Sequence, residues 1–278
     1  MTKVTRTRRA SPSLVLGGII IGVMVLVAIV AVFWTPYNPL ALDTSREFLR
    51  PSLSHPFGTD EYGRDILSRV MAGTTIALES SVGALLIALV GGVPLGLVAA
   101  TSRGVLSEVV MRFIDLIYAF PALLAAITLV TAFGASTLIA TVAIGVASIP
   151  VFARVVRGAA LGVLASEYVL AARAYGRSWG AILRRHVLPN IMPVIIVQSS
   201  LLLSLTVLAV SALSYLGLGT PPPAATWGGM LNSAQSYLSS DPQMMIWPGL
   251  AIAVTVFGFN ALGDGLRELL DPRLRRRS

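Results

Sequence analysis

Six separate stretches of this chain are apolar for long enough to cross a bilayer. That limits what it can fold into more than any other feature. A helix rises about 1.5 Å per residue, so about 20 apolar residues span the hydrocarbon. The stretches cover residues 14–34, 75–100, 113–133, 137–156, 190–213 and 244–262. Lipid offers backbone amides no partner, so each stretch is expected to be a helix. The first is too long for the apolar part of a secretory signal. It also lacks a small-residue cleavage site before Pro36, so it reads as a retained anchor. Only 12% of the chain is charged and 55% is hydrophobic. A soluble domain carries about twice that share of charge.

The loops give the direction. The N-terminal segment 1–13, the 101–112 loop, the segment from Arg154 to residue 189 and the tail 263–278 together hold 17 of the 21 basic residues. The segment 35–74 holds the other 4, beside five acidic residues, and 214–243 holds none. Basic loops stay in the cytoplasm. Both termini are therefore expected inside, in a cell-membrane protein of six spans. The formal charge of +8 is confined to these loops, so it does not point to nucleic acid. Gly18 with Gly22, and Gly92 with Gly96, are spaced for close helix contact. Pro94 and Pro121 interrupt apolar stretches, which favours a bundle around a path over a lone anchor.

Little in the chain supports bond-making chemistry. Its sole lysine is Lys3, which no phosphate-binding glycine loop precedes, so ATP hydrolysis must be supplied elsewhere. No His-Glu-x-x-His motif occurs, and the only histidines, His55 and His186, fall in loops. There is no cysteine. No metal or other cofactor site is expected in this chain. Ion-driven carriers place carboxylates at mid-membrane. Glu79, Asp115 and Asp264 instead lie towards the ends of spans, which weakens a secondary-transporter reading.

Two polar segments stand out. Within 157–189, Ser166 is placed to cap a helix whose first turn holds Glu167. Tyr168, Ala171, Ala172 and Tyr175 fall on one face of that helix, and Gly176 is placed to end it in a left-handed conformation. Ser178 can cap a second short helix, which Pro189 limits. A face of alanines suits docking into a protein groove. The rival reading is an interfacial helix pair with arginines on lipid headgroups. In the first segment, Thr59 is placed to cap an amphipathic helix leading into the second span. Asp60 with Arg64 and Asp65 with Arg69 form i, i+4 pairs on it.

These residues carry a resemblance. Ala171, Ala172, Gly176, Leu188 and Pro189 resemble the EAA loop of ABC importer permeases, with Leu170 where the pattern has Glu and His186 where it has Ile. The run His55-Pro56-Phe57-Gly58-Thr59-Asp60 with Gly63-Arg64-Asp65 is similar to the C-type permeases of dipeptide, oligopeptide and nickel importers. So are Phe120-Pro121-Ala122, Ser214 to Gly219, Trp227 to Leu231 and Asn260 to Arg273. The resemblance implies an all-α membrane protein with six transmembrane helices in the type I, EAA-loop permease fold. It implies a B-type sister permease, two ATPase subunits that bind ATP and Mg, and an extracytoplasmic substrate-binding protein. ATPase coupling would involve Glu167, Ala171, Ala172, Arg173, Gly176, Arg177, Ser178, Leu188 and Pro189. Asp60, Glu61, Arg64 and Asp65 would meet the binding protein. Cargo would be peptide, with nickel or haem-like cargo as the alternative, and the absence of His from the spans favours peptide.

Overall fold

The structure, a computed structural model, describes residues 11–102 and 104–270. Lys3, Arg6, Arg8, Arg9 and Arg103 lie outside the described residues, as do Asp271, Pro272, Arg273 and the terminal arginines.

Ten helices are found among the described residues. They are α1 (Pro12–Phe33), α2 (Ile66–Thr101), α3 (Val105–Tyr118), α4 (Ala122–Phe133), α5 (Thr137–Leu164), α6 (Glu167–Ala174), α7 (Trp179–Ile182), α8 (Leu188–Tyr215), α9 (Trp227–Ala234) and α10 (Gln243–Leu270). There are no strands among these residues, only one isolated bridge between Thr59 and Asp65. Five helical runs are long and apolar enough to cross a membrane.

The stretch 113–133 is not one rod. It lies across α3 and α4, which meet at 76°. Pro121 is the cause. It has no N–H to continue the ladder, and it drives Phe120 out of helical geometry. Counted together, the two helices make a sixth, broken crossing.

Small residues set the packing. The α2 and α5 helices lie together along Gly92, Gly96 and Gly145. A Cβ on Gly96 would stand 2.6 Å from the Ala153 carbonyl oxygen. At the second expected pair, Gly18 and Gly22, an added Cβ would meet no neighbouring element within 4 Å. The neighbouring glycine on α1, Gly17, lies against the backbone of α10 at Leu262. Gly258 and Gly265 of α10 meet Ile20 and Leu14 in return. Apart from this seam and a contact with α2, where the Thr75 hydroxyl donates to the Ala28 carbonyl, α1 is open. Ile19, Leu26 and Val32 are each at least 60% exposed, which suits a helix bathed in lipid.

A core of Phe152, Val156, Val169, Ile182, Val187 and Ile191 joins α5 to α6, α7 and α8. The α7 helix does not stop short of Pro189 as its sequence predicts. It runs through a π-helical turn, Leu183–Val187, into α8, making a helical run from Trp179 to Tyr215 of 37 residues. Pro189 falls in the first turn of α8. The π-turn absorbs its missing donor, with the Leu188 N–H reaching back to the Leu183 carbonyl.

Candidate functional site

The α5 helix has 28 residues, about 42 Å of rise against about 30 Å of hydrocarbon. That is about 12 Å more than the hydrocarbon needs, and α6 and α7 follow its C-terminal end. Ser166 sits at the N-cap of α6, but its hydroxyl donates to the Val163 carbonyl rather than capping the helix. Glu167 occupies the first turn and is exposed.

Gly176 ends α6 at φ 77°, the left-handed conformation its position requires. The Arg177 N–H reaches the Ala172 carbonyl at 3.2 Å and the Gly176 N–H reaches that of Arg173 at 2.9 Å. This is a Schellman turn. Ser178 then caps α7 through the Ala181 N–H. The Arg173 guanidinium lies 4.5 Å over the Trp179 ring and ties α6 to α7. A turn made this way holds one shape.

The expected docking face divides. Val169 is fully buried and Ala172, one turn on, is half-buried, so that side of α6 rests on the core. Tyr168, Leu170, Ala171 and Tyr175 are exposed, Tyr175 to 90%. Ala171 therefore lies on the outward face and Ala172 does not. Arg173, Arg177, Ser178, Arg184, Arg185 and Pro189 are also exposed, and Leu188 is half-buried.

The segment before α2 is arranged differently. Thr59 caps no helix. Its hydroxyl accepts from the Leu49 N–H and donates to the Arg46 carbonyl. Residues 59–65 form a turn, in which Gly63 at φ 72° sits too close to the Asp43 carbonyl for any Cβ. Asp60 fastens this turn by accepting from the Tyr62 and Arg64 N–H groups and from Arg64 Nε at 2.6 Å. Asp65 is the true cap of α2, accepting from the Ser68 N–H and hydroxyl. Its other oxygen meets His55 Nδ1 at 2.9 Å, and His55 stacks on Tyr37.

Asp65 therefore pairs with His55 and not with Arg69. Arg69 turns to Asp60, 3.4 Å away, and to the Pro39 carbonyl. Asp60 and Asp65 are buried, and the side chains of Glu61 and Arg64 are 7% and 11% exposed. Their polar atoms are engaged within this segment, the one on which the expected binding-protein contact falls. Each faces inward, and the ion pairs hold the cap over α2. Tyr37 and Ser68 join this network without a local sequence signal, and His55 and Arg69 join it through partners that local spacing does not give. Among the described residues no group of three or more His, Asp or Glu side chains could hold a metal.

Comparison with known proteins places this geometry in context. Residues 92–276 match the family model described as the binding-protein-dependent transport system inner membrane component. The chain is 39% identical over 259 residues to a glutathione transport system permease protein of Pectobacterium atrosepticum, covering 91% of this chain and 86% of that one. It is 37% identical over 261 residues to a dipeptide transport system permease protein of Alkalihalophilus pseudofirmus, covering 94% and 86%. Its fold is similar to a chain of the inward-facing MetNI methionine ABC transporter, with TM-score 0.63 at 17% identity, over 74% of this chain and 98% of that one.

Proposed function

The chain belongs to the binding-protein-dependent transport system inner membrane component family, and from that membership we propose how its parts divide the work of import. It is a multi-pass membrane permease of an ATP-binding-cassette importer, with the type I permease fold. Our reading adds that it forms half of a peptide path, beside a B-type sister permease. The dipeptide and glutathione carriers among its relatives support this cargo. Both termini lie in the cytoplasm, as the loop charges require. A substrate-binding protein delivers cargo outside. Two ATPase subunits, holding ATP and Mg, dock inside against α6 and α7. No bond is made or broken on this chain.

One observation carries the docking assignment. The α6–α7 unit is rooted by Val169, closed by a Schellman turn, and leaves Tyr168, Ala171 and Tyr175 exposed. Ala171 has the smallest side chain of the three, so a groove can close tightly over the helix there. Glu167, Arg173, Arg177 and Ser178 frame the contact, and Leu188 and Pro189 pass its motion into α8. A shift of this unit on ATP binding would turn the bundle between inward and outward states.

The test is Ala171→Arg in the complete importer. Overpacking costs about 1–3 kcal/mol, which weakens docking by about one to two orders of magnitude. We expect loss of ATPase co-purification and of uptake, with normal insertion and pairing to the sister permease. An arginine lying among headgroups would change neither. Wild-type co-purification and uptake would overturn the docking assignment.

A further inference from the structure

A second feature lies just below the break between α3 and α4. Arg154 of α5 reaches Asp115 of α3 with its Nη2 2.7 Å from Oδ1. The same guanidinium lies 3.9 Å over the Tyr118 ring. The side chains are 37% and 51% exposed. This pair stands near the ends of the third and fourth apolar stretches, where Phe113, Leu116 and Phe120 are each more than half exposed. A half-exposed ion pair is costly against acyl chains, so this face of α3 is turned towards water or protein. Further along the broken crossing, Thr128 and Thr131 of α4 are exposed too, each hydroxyl satisfied by a carbonyl of its own helix.

We propose that Asp115 and Arg154 form a charge clasp in the translocation path that receives the two ends of a zwitterionic peptide. This rests on the peptide-permease reading above. The guanidinium would take the terminal carboxylate in a bidentate fork, and Asp115 would take the terminal ammonium. The Tyr118 ring face keeps Arg154 in position while its partner changes. When no cargo is present the two residues neutralise each other. Entry of a zwitterion exchanges one ion pair for two, and exit restores the first. The net gain is small, which is what a path needs if cargo is to leave as readily as it enters.

The experiment uses the full importer in proteoliposomes, with its binding protein and ATPase subunits. Uptake of a dipeptide with free termini is compared with uptake of the same peptide amidated at its C-terminus. Losing a charged hydrogen bond lowers uptake of the free peptide about tenfold or more in Arg154→Gln and in Asp115→Asn. In Arg154→Gln the amidated peptide falls less than the free one, since it has no carboxylate to lose. The paired exchange Asp115→Arg with Arg154→Asp keeps an ion pair between α3 and α5. The intact complex should be recovered, yet uptake should stay low. Arg112→Gln removes the exposed pair with Glu108 on the same helix and serves as the control with unchanged uptake. Restored uptake in the paired exchange, or equal losses for both peptides in Arg154→Gln, would overturn the clasp and leave a structural tie. Failure of the wild-type importer to take up any peptide would overturn the peptide reading itself, and the clasp with it.

Discussion

Between Tyr37 and Arg69 the chain folds Asp60, Arg64, Asp65 and Arg69 inward, where they pair with one another and with His55. Between Ser166 and Val187 it does the reverse. Arg173, Arg177, Arg184 and Arg185 all stand in solvent, and only Val169, Ile182 and Val187 are buried. Both segments link membrane helices and both are rich in charge. The first uses Asp60, Arg64, Asp65 and Arg69 as internal ties and leaves Arg46, Glu47 and Arg50 exposed. The second is held by apolar contacts and a Schellman turn, so its charges are free to meet something else. Where charge is buried the segment defines a shape, and where it is displayed the segment invites a partner.

The largest expected effect comes from cutting an internal tie. Asp60→Ala would leave buried Arg69 without its carboxylate and unfasten the turn that holds Arg64. Removing one partner of a buried pair costs about 3–5 kcal/mol. Thermal unfolding of the detergent-solubilised complex should show a marked fall in Tm. An unchanged Tm would mean that the cap is not held by charge, and the contrast drawn above would fail.

The same question can be put to the second segment through its apolar root. Val169→Ala removes two methyl groups from a fully buried site, at about 2 kcal/mol. Because the α6–α7 unit is peripheral, the loss should be local. Amide hydrogen exchange should rise across residues 166–187, while Tm of the whole protein moves little. A global fall in Tm would place this segment in the same class as the first.

The smallest effect should come from Gly176→Ala. The space around Gly176 is open, so only the left-handed backbone resists a Cβ, at about 1 kcal/mol. Uptake should drop by about fivefold at most, with insertion intact. A complete loss would mean that the partner touches this turn directly.

Hydropathy and loop charge made the helical spans readable from sequence, because those signals are local and repeat along the chain. Gly176 was readable for the same reason: a helix that must end leaves few choices at that position. The pairing of Asp65 was not. An i, i+4 rule would join it to Arg69, but Asp65 is the N-cap of α2 and its side chain turns to the Ser68 N–H instead. His55 lies ten residues upstream and becomes a partner only after the chain doubles back. The choice of Gly17 over Gly18 was hidden as well. Spacing alone does not say which side of α1 faces α10, and the lipid-exposed glycine looks the same on paper. The division of Ala171 from Ala172 needed the position of Val169, which the alanine motif does not contain.

The helical run from Trp179 to Tyr215 has a mechanical consequence. Its 37 residues extend about 55 Å, from the start of α7 to the end of α8. A rod of that length turns small angles into large displacements: pivoted at its inner end, a tilt of about 5° carries its outer end about 5 Å sideways. The outer end does not travel alone. Asn232 of α9 donates to the Tyr215 carbonyl, the Tyr215 hydroxyl bonds Gln235, and Gly228 lies against the Ser211 carbonyl. The α9 helix is thus fastened to the tip of the lever, and Trp227 reaches from it to the Val70 carbonyl near the start of α2. A push received at the α6–α7 end is delivered, through the π-turn and along α8, to α9 and the start of α2.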